Sequence, residues 1–498
     1  MKRTIVTALL VSMGMSLSPA LAAGADLAGE LVEESWEIAQ VEGAKVGHMH
    51  TTVHRRDLAS GTHFRTVAEL ELTFKRRNAL LRLRRVWGTE ETAEGKVVGV
   101  FMRQGQEGGR QLLLTGSLED GRMHVRIDNG RIERRLLWSD DVVGLYRLAH
   151  LFQERKPKPE DCWTLKRYDP TYNAVVVLRV AVKPADGRLG ALRVELTPEP
   201  LEAAGIKVQP PSEVWWLDEH FAVLRRQFEL EGLGVVTLTR TTRERATTPA
   251  ASRQLTDISL KALIPLNRTL PQPYATRAVV YRITLRGDRD PGSALTCDAH
   301  QEIRNVHGDT FELHVHPPKF TDSRSSTRSA PAEYLETCYF IDSADARVKE
   351  CARRAVGSEK HAWAKAQRIE RWVKQNMRVD NAAPLGPASD AARQLRGDCR
   401  HYALLTAALC RAEGIPARTA IGLLYVEKER RPRMGFHMWT EVWIDGQWLG
   451  LDATLGLGGV SAAYIKINDH SWHDTPSLTP LLPASRVLGK IAIAIVNE

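Results

Sequence analysis

The chain has 498 residues, of which 43% are hydrophobic and 26% charged, with a net charge of +9 and six cysteines. That length exceeds what one hydrophobic core holds and implies about three domains of ordinary globular composition. Basic residues are interleaved with acidic ones, so the clustered cationic face that a nucleic-acid partner needs is missing and no such partner is expected.

In chain order, Lys2 and Arg3 precede an apolar run over residues 4–16, and Ala20, Leu21 and Ala22 form a small-x-small cleavage site. This is the pattern of a cleavable signal peptide over residues 1–22. The run is shorter than the ~20 apolar residues of a membrane-spanning helix. The first cysteine after it is Cys162, which argues against a lipid anchor. A periplasmic or secreted protein is expected, with no transmembrane span in the mature chain.

Residues 24–253 read as a β-rich domain of envelope type. Leu70 to Phe74 and Met123 to Ile127 alternate apolar and polar, and Asn129-Gly130 supplies a hairpin turn that tolerates positive φ. A helix is expected over residues 142–152, ended by Pro157 and Pro159. The denser basic stretch Lys75 to Arg85 reads as a solvated strand face, with an anionic surface as the alternative. After a polar linker over 241–253, residues 255–318 suggest a small β-sandwich. Residues 319–344, rich in Ser, Thr and Arg at 321–329, read as a linker. Amphipathic helices at 345–355 and 361–377 open a domain spanning 345–498, the second turning Ala364, Ile369, Trp372 and Val373 toward a core. The apolar run 491–496 is long enough only for a closing strand.

Within that last domain lie three short segments: Gly397-Asp398-Cys399-Arg400-His401, then His437-Met438-Trp439-Thr440-Glu441-Val442-Trp443, then Leu451-Asp452-Ala453-Thr454. Cys399 opens an apolar helix, where unpaired N–H groups and the helix dipole favour a thiolate. His437 stands in an alternating strand and can take or hold the proton; Asp452, beginning the next element, can fix the imidazole tautomer. Trp439 and Trp443 share a strand face with His437, either as an aromatic wall lining the site or as a face packed against the Cys399 helix. Gln394 is an oxyanion-hole candidate, with a solvated loop glutamine as the alternative. His401, two residues past Cys399, points to another face and reads as exposed or supporting. Cys410 reads as a small buried hydrophobe. The five cysteines besides Cys399 cannot all pair, and Cys338 with Cys351 is the pair to test. The chain shows no Cys-x-x-Cys pair, His-Glu-x-x-His segment or acidic calcium loop, so neither metal nor cofactor is expected.

These three segments, with the turn Gly414-Ile415-Pro416-Ala417-Arg418 and the hairpin Asp445-Gly446-Gln447-Trp448, resemble the transglutaminase-like superfamily over roughly residues 345–467. The resemblance implies an α+β, papain-like catalytic domain behind N-terminal antiparallel β domains. It implies Cys399 as nucleophile, His437 as base and Asp452 as orienter. The implied reaction is acyl transfer on an amide of a protein or peptide through a Cys399 thioester, with cross-linking, deamidation and peptide hydrolysis all open. The rival reading is a non-catalytic scaffold that binds a cell-envelope component.

Overall fold

A computed structural model describes residues 29–497, apart from 77–78, 107–110, 128–131, 186–189, 204–205, 231–233, 250–262, 289, 321–328, 429–430, 474, 476–478 and 482. The expected signal peptide at 1–22, the expected turn at Asn129-Gly130 and the Ser/Thr/Arg-rich run at 321–328 therefore lie outside the described residues.

The N-terminal region forms one 15-stranded sheet. Eight strands, from Glu30–Val41 to Ile132–Leu137, follow one another antiparallel; the other half returns from Gly234–Thr241, which pairs with Glu30–Val41, down to Val142–Val143. A flat sheet of 15 strands at the usual spacing would be about 67 Å wide. Yet its two edge strands, Ile132–Leu137 and Val142–Val143, are joined by a chain segment that reaches at most ~18 Å. The sheet must therefore roll until its edges approach. They do share a core, in which Val142 and Tyr168 pack with Met123, Val125 and Ile127. The strands on either side of residues 128–131 pair antiparallel, Ile127 with Ile132. The expected helix begins three residues later, as Leu145–Arg155, because Val142 and Val143 are taken up as the edge strand. Its N-cap is Gly144, which has no side chain to offer the free N–H groups. Wholly buried Glu91 does this from a neighbouring strand, accepting from Tyr146 (2.8 Å), Arg147 (3.0 Å) and the Thr89 hydroxyl (2.7 Å).

Residues 255–318 do not close into a sandwich. Gln301–His307, Thr310–Val315 and Val279–Leu285 form one sheet whose fourth strand is Ile491–Asn497, while Leu263–Pro265 joins the sheet of the next domain. One core accounts for this, since Tyr281, Ile283, Phe311 and Leu313 pack with Leu423, Trp439, Tyr464 and Ile465. The expected linker 319–344 is likewise not free along its length: Tyr339, Phe340 and Ile341 are buried, and Phe340 lies 4.6 Å from the ring of Trp472.

The C-terminal region is α+β. Helices Ala346–Val356, Ala362–Asn376 and Ala388–Gln394 surround the central helix Cys399–Ala412, which is buried from His401 to Arg411. That helix packs on a sheet built from Ala417–Lys428, Arg431–Ile444, Gln447–Leu451 and Tyr464–His470. Alternation along Arg431–Ile444 sends Met438, Val442 and Ile444 into the helix-side core, and Thr440 donates to the Ala403 carbonyl at 2.9 Å. His437, Trp439, Glu441 and Trp443 consequently face the other way. The strand turns at Asp445-Gly446, both with positive φ (49° and 83°), the two-residue geometry that Asp-Gly favours.

Candidate active site

The cysteine segment is shaped by its neighbours. Asp398 caps the helix, accepting from the Arg400 N–H at 3.0 Å, and places Cys399 at the first helical position, where N–H groups have no carbonyl partner in the helix. His401 is buried, not exposed. Its Nε2–H donates to the Pro384 carbonyl at 2.9 Å, which leaves Nδ1 to accept from the Asp398 N–H at 3.1 Å, so the ring locks the turn before Cys399. Gly397 is required there because a Cβ would stand 2.4 Å from His401 Cγ. Arg400 reaches back to Asp398 (2.6 Å) and adds a cation near the thiol. Cys399 is partly exposed, as a nucleophile must be.

His437 Nε2 lies 2.8 Å from Asp452 Oδ2, and the Cys399 thiol is near enough to favour the protonated imidazole. Since Nε2 is committed to the carboxylate, Nδ1 is the ring nitrogen left to serve the thiol. Burial works against the imidazolium, but the Asp452 charge and hydrogen bond, with the Cys399 contact, outweigh it and raise its pKa to about 10. Asp452 is held on both oxygens. Oδ2 also accepts from the Tyr464 hydroxyl (2.8 Å), while Oδ1 accepts from the Thr454 N–H (2.9 Å) and hydroxyl. Burial opposes its charge, yet His437, Thr454 and Tyr464 keep its pKa below the ordinary carboxylate range.

The remaining expected site residues fare differently. Trp439 is buried, its ring nearly parallel to that of His437 (17°, centroids 6.5 Å) and edge-on to Tyr464 (5.4 Å). It backs the imidazole from within the core. Trp443 lies six residues beyond His437, about 20 Å along an extended strand. There, with Trp448, Glu441, His300 and Asp298, it lines a separate cavity of about 320 Å³. The expectation that these tryptophans pack on the Cys399 helix fails, because the alternation sends them to the opposite sheet face. Gln394 is exposed at the end of its helix and accepts from Arg396 Nε at 3.3 Å; no hydrogen bond among the described residues brings it to Cys399. All six cysteines are unpaired, Cys338 and Cys351 included.

Sequence reasoning missed Thr454, Tyr464 and Glu370. Thr454 carries a local signal, a hydroxyl two residues after an aspartate. Glu370 occupies a core position in the pattern Ala366, Ile369, Glu370, Val373, all buried. Tyr464 carries no local signal.

Residues 349–453 match the family model described as the transglutaminase-like superfamily, a stretch that takes in Cys399, His437 and Asp452. The chain carries a transglutaminase-like domain. No curated protein matches the chain. Among solved structures, a candidate cysteine protease of Cytophaga hutchinsonii is 18% identical, with a TM-score of 0.29 over 43% of this chain and 83% of its own. A β-barrel-like protein of Brucella abortus, from a domain family of unknown function, is 12% identical with a TM-score of 0.29 over 42% of this chain and 95% of its own. A candidate protease of Parabacteroides distasonis is 11% identical with a TM-score of 0.20 over 79% of this chain and 64% of its own.

Proposed function

We propose that the transglutaminase-like domain is a thiol acyltransferase or hydrolase acting on amides of proteins or peptides, with Cys399 as nucleophile, His437 as proton carrier and Asp452 as its orienter. The observation that carries this is the ordered chain from Asp452 through His437 to a partly exposed thiol at a helix N-terminus. The Cys399 thiolate attacks the amide carbonyl carbon. As the C–N bond breaks, Nδ1–H of His437 gives its proton to the departing amine and a thioester remains. An incoming amine or water then gives a proton to Nδ1, attacks the thioester and releases the thiolate. An amine acceptor yields a cross-link; water yields deamidation or peptide hydrolysis.

The signal pattern at residues 1–22 supports export of this chemistry to the periplasm or medium, where an envelope component is an accessible partner. Among the described residues no helix is long and apolar enough to cross a membrane. Intact mass of protein from its native host tests export, with a mature chain starting near Ala23 expected and one starting at Met1 counting against it.

The activity test incubates the full chain with a glutamine-rich protein and a fluorescent primary amine, and follows amine incorporation, ammonia release and new amino termini together. One of the three should rise with wild type and stay at background with Cys399→Ala. Equal signals from both proteins would overturn the reading.

A further inference from the structure

One face of the helix Ala362–Asn376 holds the segment that carries Asp452. Glu370 is wholly buried, and its two oxygens accept from the backbone N–H groups of Asp452 (3.0 Å) and Gly458 (2.8 Å). One turn earlier, Gln367 Nε2 donates to the Gly458 carbonyl at 3.2 Å. One turn later, Lys374 Nζ donates to the Thr454 carbonyl. Positions 367, 370 and 374 share a helix face. All three side chains end on backbone groups between Asp452 and Gly458, so they fix the path of that segment whatever its side chains are. The fit is close, since a Cβ on Gly456 would lie 2.9 Å from Lys374 Cγ.

We propose that Glu370 is a positioning residue for the acyl-transfer site: with Gln367 and Lys374 it clamps residues 452–458, and so sets the distance and direction of the Asp452 carboxylate to His437. This inference rests on the proposed function. It differs from a purely structural role, because Glu370 acts on the backbone N–H of the very residue whose side chain orients the imidazole. A carboxylate suits the task, since two N–H donors converge on it and both oxygens accept. In a Gln side chain one of those acceptors becomes an NH₂ facing an N–H. Burial, with the nearby Asp452 charge, pushes the Glu370 pKa up to about 7 against the two backbone hydrogen bonds. Asp452, Tyr464, Cys410 and Arg371 are the titratable or charged groups in its field.

The test is the rate of Cys399 alkylation by iodoacetamide against pH, in the full chain, with the thermal transition recorded for each variant. Glu370→Gln should slow alkylation at neutral pH by about tenfold, a usual size for a support one step behind a reacting group, and displace the profile in the same direction as Asp452→Ala. The double variant should be no slower than Asp452→Ala alone, because the clamp acts only through Asp452. Lys374 is exposed, so Lys374→Ala should fold and show a smaller shift of the same sign. It carries the test if Glu370→Gln does not fold. Wild-type profiles in the folded Glu370 and Lys374 variants, or additive losses in the double variant, would overturn the proposal. If His437→Ala and Asp452→Ala also keep the wild-type profile, the catalytic reading falls and the clamp falls with it. If those two slow alkylation and the clamp variants do not, only the clamp falls.

Discussion

Glu91 in the N-terminal sheet and Glu370 in the transglutaminase-like domain are both wholly buried, and burial raises the pKa of both. Both accept two backbone N–H groups. The difference lies in what those N–H groups belong to. Those held by Glu91 open the helix Leu145–Arg155 and would otherwise be unsatisfied, so Glu91 serves folding. One of those held by Glu370 belongs to Asp452, which stands 2.8 Å from His437. A perturbed, buried carboxylate is therefore not by itself the mark of a site. What it grips decides its role.

The contrast can be broken most sharply at the thiol. Cys399→Ala should abolish acyl transfer with the fold intact, while low-concentration iodoacetamide should modify Cys399 ahead of the other five cysteines in wild type. Cys410, whose pKa is raised by complete burial, should stay unlabelled until the protein unfolds. Peptide mapping reads this, and early labelling of Cys410 or of exposed Cys162 would count against the site.

Next in size is the histidine. His437→Ala should slow Cys399 alkylation at pH 7 by roughly a hundredfold, and its rate should climb toward the free-thiol pKa of about 8.5 as pH rises. Wild type should stay fast well below that value, since the imidazolium persists up to about pH 10. Asp452→Ala should cost less, because the ring remains and loses only its orientation. Stopped-flow or quenched alkylation across pH separates the three.

Stability against pH then isolates Glu370. Its folded pKa of about 7 exceeds the 4.5 of a free glutamate side chain, so the native state holds the proton more tightly than the unfolded chain. Wild type should lose stability as pH rises through that window, by on the order of 3 kcal/mol at most, and level off above it. Glu370→Gln should lack this slope in denaturant titrations. Glu91→Gln completes the contrast. Loss of an acceptor for the helix N–H groups should cost about 1–3 kcal/mol, while Cys399 alkylation in the folded protein stays unchanged.

The elements of the site were legible because their signals are local. Asp398 before an apolar helix, alternation around His437 and the Asp445-Gly446 turn each concern neighbours in sequence. The supports were harder to see, because Glu370 reaches Asp452 across 82 positions and Tyr464 across 12. Periodicity marked Ile369 and Val373 of the same helix as core-facing but passed over Glu370, and it names no partner. The expected sandwich at 255–318 failed for the same reason. Alternation in Val279–Leu285 shows that a strand is half-buried and is silent on its neighbour, which is Ile491–Asn497. Trp439 and Trp443 show the limit of face arguments: the shared face was right, but what covers it came from Gly422, Tyr464 and the 298–300 segment, none adjacent in sequence.

The pairing of Ile491–Asn497 with Val279–Leu285 also bears on how the protein is made. The core shared by residues 279–315 and 420–467 stays one strand short until residues 491–497 have left the ribosome, long after Cys399 has been synthesised. A partly made chain can therefore carry Cys399 without the finished scaffold around His437 and Tyr464. The surroundings of His437 and Tyr464 are thus completed last, by a strand from the end of the chain opposite the N-terminal sheet.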